Sequence, residues 1–356
     1  MNRLPNLDVL RFFLASAVVL FHIPKLSRNQ GLPFYDELPI FHRGHEAVYM
    51  FFVLSGFLII QLIYRAKLKH VFSIRKFYMR RILRIFPLYY LILIFGFTFY
   101  NFILPQLNID FDIRYELWEG ILLTVFFLPN VFSKLYSPGG ILEILWSIGI
   151  EEQFYLMIAP LLYFVRNRYV LIVLGALTTV YFVIFHLEGI EVLRKFRFVF
   201  FFIFSGGLIG ILEMRKSLEF MKRGKIIPVI VVLLTALFFF TDLLVIKTLW
   251  MKHLLLSVLF SFFIHSLSYN NLGIGITNKL LNYLGTISYG IYMYHIIALN
   301  TVVFLFLKIE NLGIFNDTFT VITINILTFA VTIFISHLSY KYFESYFLNL
   351  KSKYRT

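Results

Sequence analysis

Arg11 and His22 are the two residues of this chain whose placement most demands an explanation, because both fall within one apolar run, Leu7 to Ile23. Eleven residues at about 100° each return to nearly the same bearing, so in a helix the two side chains share one face about 16 Å apart. A guanidinium and an imidazole among Phe12, Phe13, Leu14, Val18, Val19 and Leu20 are costly in hydrocarbon and should face a protein interior or a wet cavity. An imidazole there has the chemistry of a general base or a nucleophile. The plainer account is that Asp8 neutralises Arg11 and that His22 sits at the headgroups.

A second group lies in Trp146-Ser147-Ile148-Gly149-Ile150-Glu151-Glu152-Gln153-Phe154-Tyr155, where two carboxylates fall about ten residues inside another apolar run. Ser147, Glu151 and Tyr155 recur at i, i+4 and i+8 and form one stripe, while Glu152 points about 100° away. Glu151 could orient a hydroxyl, pair with Arg11 or polarise His22, or serve only in an ion pair that fixes packing. At Tyr78 to Pro87, Arg81 and Arg84 stand three apart at the start of a run. Two planar forks one turn apart suit phosphate oxygens, and a positive-inside flank is the competing account. The Ser55-Gly56 step in Phe51 to Ile59 permits close approach of a helix or an acyl chain. Ser288, Tyr292 and His295 share a face at i, i+4 and i+7, as cavity lining or as interhelical hydrogen bonds. The other histidines, His265 among them, sit mostly near run ends and carry no functional reading.

The elements that must position these residues follow from composition. Hydrophobic residues make up 60% of the 356, which places the chain among polytopic membrane proteins. The net charge of +14 is gathered in short loops between apolar runs, where it reads as a topology signal and not as a nucleic-acid surface. Cysteine is absent, which excludes disulfides, thiolate metal sites and a cysteine nucleophile. Eleven apolar segments are recognisable. Arg65, Lys67, Lys69, Arg75, Lys76, Arg80 and Arg81 mark one loop as cytoplasmic. If Leu117–Phe132 is interfacial or re-entrant, ten crossings remain, both termini are inside, and Arg166, Arg168, the Arg215 to Lys225 loop and the tail with Lys351, Lys353 and Arg355 are all cytoplasmic. One loop resists this scheme: Arg194, Lys195 and Arg197 fall outside, a possible acceptor-side feature. The expectation is an all-α membrane bundle forming a single domain over residues 1–356, with its first helix uncleaved.

Leu7-Asp8-x-x-Arg11 with ten residues before His22, Phe51 to Phe57, Arg81-x-x-Arg84-Ile85-x-Pro87, Trp146-Ser147-x-x-x-Glu151-x-x-Phe154-Tyr155 and Ser288-Tyr289-x-x-Tyr292-x-x-His295 stand in one order. In this the chain resembles, over nearly its whole length, the acyltransferase-3 family of membrane O-acyltransferases that modify bacterial surface glycans. The resemblance implies a multi-pass protein of the bacterial cytoplasmic membrane using acyl-CoA, commonly acetyl-CoA, as a cytoplasmic donor, with no tightly bound cofactor and no metal. It implies Arg11 and His22 as essential groups and Arg81 and Arg84 as coenzyme contacts. Catalysis is then expected at His22, Arg11 and Glu151, with substrate positioned by Tyr155, Ser55, Ser288, Tyr292 and His295. By helix rise His22 lies about 24 Å above the inner end and Arg11 about 7 Å, suiting acceptor and donor sides respectively. Larger relatives append an extracytoplasmic SGNH hydrolase-like domain. This sequence stops at Thr356, so it transfers directly or works with a separate partner. The rival classes are a transporter of glycans or lipid-linked sugars, in which the buried charges form a translocation path, and a scaffold subunit, in which His22 is dispensable.

Overall fold

The computed structural model describes residues 4, 6–269, 276, 278–310 and 316–354; Arg355, one of the basic tail residues, lies outside them. All regular structure among these residues is helical, as hydrocarbon demands when the backbone must satisfy its own hydrogen bonds. The helices used below are α1 (Leu7–Asn29), α2 (Gly44–Leu68), α3 (Ile74–Thr98), α4 (Leu117–Val125), α5 (Pro129–Tyr136), α6 (Trp146–Phe164), α7 (Val170–His186), α8 (Phe200–Met214), α9 (Ile226–Phe240), α10 (Leu249–Tyr269), α11 (Lys279–Thr286), α12 (Ser288–Glu310) and α13 (Asp317–Ser339). Seven helical stretches are long and apolar enough to cross a membrane: those of α1, α2, α3, α7, α10, α12 and α13. α8 and α9 are shorter apolar helices, and α6 is 19 residues long but carries Glu151, Glu152 and Gln153. Together these make ten among the described residues, the number read from the sequence.

The Leu117–Phe132 run does not form one helix. It breaks at 126–128 into α4, nine residues, and the start of α5, eight residues, each far short of the ~20 needed to span. Gln153 of α6 ties this pair down, its Nε2 donating to the Phe127 carbonyl at 2.6 Å and to Asn130 Oδ1 at 2.9 Å.

The chain divides into two compact units. The first comprises residues up to Leu54 with Leu212–Lys341, and the second Ser55–Ile211 with Tyr342–Thr356, so α2 and α8 each contribute to both. In the first unit α1 packs against α11, α12 and α13, and α9 pairs with α10. A cluster of Ala15, Val19 and Ile23 with Ile287, Ile291 and Leu299 fills the space between. The backbones come very close here: a Cβ added to Gly285 would lie 1.8 Å from the Asp8 carbonyl oxygen. In the second unit the Ser55-Gly56 step serves helix packing on its glycine side, since a Cβ on Gly56 would lie 1.8 Å from the Ile203 carbonyl oxygen.

The loop that resisted the charge scheme has local employment in the second unit. Arg194 donates to the carbonyls of Phe185 at 3.0 Å and Leu187 at 2.8 Å, capping the end of α7. Arg197 lies 4.9 Å over the Trp146 ring. These basic residues are thus held by the protein's own carbonyls and rings, and their number does not need an acceptor to explain it.

Candidate functional site

In the first unit the structure brings together two histidines that the sequence places 273 residues apart. His295 Nε2 lies 3.2 Å from His22 Nδ1, with ring centroids 5.0 Å apart. Two backbone carbonyls decide which nitrogens carry protons. His295 Nδ1 sits 2.6 Å from the Tyr292 carbonyl, which can only accept, so that nitrogen bears the hydrogen and Nε2 is left with a lone pair. His22 Nδ1 sits 2.9 Å from the Val18 carbonyl and therefore also donates, sharing its hydrogen between Val18 and His295 Nε2. The tautomers follow from this network. His22 is left with the lone pair on Nε2, the arrangement a general base or a nucleophile requires.

His295 is wholly buried, whereas His22 is partly accessible. Phe21 packs edge-on against His22 at 4.9 Å and against His45 at 5.2 Å. Arg11 lies on the same helix, with Nη1 at 2.7 Å from Asp8 Oδ1 in an ion pair. Tyr292 and Ser288 are buried on the helix that carries His295. Of this stripe, Tyr292 contributes its carbonyl to the pair, and His295 its ring.

In the second unit Ser55 and Tyr155 meet directly, with 2.7 Å between their hydroxyl oxygens. Arg81 lies over the Tyr155 ring at 5.7 Å and over the Phe77 ring at 5.9 Å, a cation held between aromatic faces. Only 7% of Arg81 is accessible, and its Nε has no hydrogen-bond partner. Arg84 is exposed, so the two guanidiniums do not form a clamp on one face: one is inside the protein and the other at its surface. The α6 stripe also differs from expectation. Ser147 and Tyr155 are buried, but Glu151 is only partly so, and the carboxylate packed inside is Glu152, at 4% accessibility. No carboxylate of the described residues lies within ion-pair distance of the Arg81 guanidinium, and Glu152 Oε1 is unpartnered. Helical phase alone discounted Glu152. The signal available was its adjacency to a second carboxylate in an apolar run, since two carboxylates on different faces cannot both point to lipid.

The acyltransferase-3 family, described as an acyltransferase domain, matches residues 4–341. The chain belongs to that family. The match takes in both compact units and both clusters. Among curated proteins the chain is 26% identical to a peptidoglycan O-acetyltransferase OatA of Listeria monocytogenes over 369 aligned residues, which cover 96% of this chain and 55% of that protein. It is 28% identical to a putative peptidoglycan O-acetyltransferase YrhL of Bacillus subtilis, covering 43% of this chain and 23% of that protein. A third relative, O-acetyltransferase OatA of Staphylococcus aureus, is 27% identical over 47% of this chain and 26% of its own length. The chain thus spans between about a quarter and just over half of these relatives. No solved structure matches.

Proposed function

We propose that this chain is a membrane O-acyltransferase of the bacterial cytoplasmic membrane, moving an acyl group, acetyl by analogy with the relatives' names, from cytoplasmic acyl-CoA to a hydroxyl of a surface or lipid-linked glycan. The observation that carries the reading is the His22 and His295 pair, which fixes the tautomer of His22 and leaves Nε2 unprotonated. That nitrogen can take the proton of a sugar hydroxyl as it attacks the thioester carbonyl, or attack the carbonyl itself and hold the acyl group as an acyl-imidazole before passing it on. With both termini inside, the loop that precedes Arg81 and Arg84 is cytoplasmic. Arg84 at the surface then meets the coenzyme's phosphates first, and Arg81, set deeper with an unused N–H, donates to an oxygen of the acyl-CoA. Tyr155, Ser55 and Glu152 hold that guanidinium's surroundings; Glu151, partly accessible, faces substrate. Arg11, already paired with Asp8, contributes electrostatically on the donor side.

The test is purified protein supplied with labelled acetyl-CoA and soluble peptidoglycan fragments. Ester-linked label on the sugar supports the proposal, and label on His22 in the absence of acceptor selects the acyl-imidazole route. No label on either, with vesicles that move glycan across the membrane, would establish the transporter instead.

A further inference from the structure

A third polar group lies in the first unit and takes no part in the chemistry above. His265 of α10 is wholly buried, and its Nε2 donates to Glu213 Oε2 at 2.8 Å. The other carboxylate oxygen, Oε1, accepts from the ammonium of Lys222, which is partly exposed in the short helix Glu219–Arg223 between α8 and α9. Burial acts to lower the Lys222 pKa, but the Glu213 and Glu219 carboxylates outweigh it and hold the ammonium above its ordinary value. The Tyr269 ring also lies against the imidazole, with centroids 5.5 Å apart. One and two turns back along α10 stand Ser261 and Ser257, both buried. Serines in membrane helices commonly donate to the carbonyl one turn earlier, and Ser266, Ser268 and Ser336 do so at 2.8, 2.7 and 2.6 Å. Ser257 and Ser261 do not. Their hydroxyls and His265 Nδ1 are the buried side-chain polar atoms of this helix left unpartnered among the described residues, and all three lie on one stripe.

A buried polar atom left unpaired loses its hydrogen bonds to water and gains none in return, so three on one stripe require a use. Its order gives one. Lys222, Glu213 and His265 are already joined by hydrogen bonds, the lone pair on His265 Nδ1 is unused, and the serines one and two turns back continue the stripe about 12 Å along the axis. Neighbouring positions on such a stripe are about 5–6 Å apart at Cβ, a gap closed by hydroxyl rotation or one bridging water. A proton arriving at Nδ1 releases the one on Nε2 to Glu213.

Acyl transfer across a membrane needs such a path. The thioester C–S bond breaks on the coenzyme side, the ester C–O bond forms at the acceptor, and the acceptor's O–H proton must reach the departing thiolate to give a neutral thiol. If acceptor and donor face opposite sides, one proton crosses inward for every ester made, or charge accumulates and opposes turnover. Resting on the acyl-transfer reading above, we propose that Ser257, Ser261, His265 and Glu213 form the inner half of a proton relay that returns this proton to the cytoplasmic side. Glu213 and His265 act on the proton and not on the acyl group.

The experiment uses sealed proteoliposomes with the 215–225 loop outward, labelled acetyl-CoA outside, and soluble peptidoglycan fragments and a pH dye trapped within. Wild-type protein forms ester with no change in lumenal pH, since the proton leaves through the protein. Glu213→Gln and the milder Ser261→Ala slow ester formation at least tenfold with acetyl-CoA binding unchanged. The ester that does form is accompanied by one proton released into the lumen, and a protonophore restores part of the rate. Variants that transfer at the wild-type rate, or that slow while the lumen stays neutral and the protonophore is without effect, overturn the relay. Wild-type vesicles that make no ester at all overturn the activity, and the relay with it.

Discussion

The imidazole pair of the first unit and the guanidinium pocket of the second solve opposite problems with similar material. Around His22 the polar atoms satisfy one another: two carbonyls and a second ring settle every proton and leave one lone pair aimed away from the network. Around Arg81 they do not. Its Nε and the neighbouring Glu152 Oε1 are both buried and both unpaired, while aromatic faces and not a carboxylate surround the cation. A group with its partners fixed in advance is suited to chemistry, because no reorganisation is required at the moment of reaction. A buried donor left without a partner is suited to binding, because a ligand that supplies the missing oxygen removes a penalty as it adds a bond.

The sharpest test of the first half of that comparison is His22→Ala. It removes the lone pair, and general-base contributions are typically 10²–10⁴-fold, so ester formation should fall by about that factor with acyl-CoA binding retained. The second half is tested by Arg81→Met, which keeps the packing volume and removes the donors. Hydrogen bonds to charged groups are worth about 1.5–3 kcal/mol, so KM for acyl-CoA should rise about 10- to 100-fold with KM for the glycan unchanged. Arg84→Ala, at an exposed position, should cost a few-fold at most. If both variants raise KM alike, the buried pocket is no more than a packed cation. Within the same pocket Glu152→Gln should disturb acyl-CoA binding more than Glu151→Gln, the reverse of what helical phase implies.

How far the sequence could reach is visible in these same residues. Ten apolar helices, and the failure of the Leu117–Phe132 run to form a spanning helix, followed from the lengths of the apolar runs and the placing of the basic loops, because hydrocarbon penalises exposed backbone and charge so heavily that few arrangements survive. The meeting of His22 with His295 did not follow. Phase gives the face on which a side chain lies but not which of nine other helices that face meets. Arg81 and Arg84 show a further limit: side chains one turn apart can fall on either side of a burial boundary that depends on the neighbouring helix. The Ser257, Ser261 and His265 stripe was written at plain i, i+4, i+8 spacing. It went unread because hydroxyls in membrane helices so often bond their own backbone, and only the structure shows that these two do not.

His295→Phe bears on the fixed network from the other side. It keeps ring volume and removes the Nε2 that accepts from His22, leaving the Val18 carbonyl as sole partner for the His22 Nδ1 hydrogen. The tautomer survives and the orientation loosens, so the expected loss is about two- to tenfold, the worth of one hydrogen bond at about 0.5–1.5 kcal/mol, and far less than for His22→Ala. The readout is kcat for labelled ester at saturating donor. Losses equal for the two variants would make both rings reactive groups.

The smallest effect concerns the scaffold beneath the pair. Gly285 approaches the Asp8 backbone so closely that a methyl group would sit 1.8 Å from its carbonyl oxygen, and a backbone atom cannot rotate out of the way as a side chain can. Gly285→Ala should therefore push α11 off α1 and cost about 1–3 kcal/mol, the usual range for overpacking, read as a lower thermal midpoint in detergent. Gly175, within α7, has nothing within 4 Å of the same added atom. Gly175→Ala should be neutral or stabilise by up to about 1 kcal/mol, since alanine loses less backbone freedom in a helix. A shared loss in both variants would mean that glycine flexibility matters at these positions; a loss at Gly285 alone ties stability to the contact that sets α1, and His22 with it, against the helices that follow.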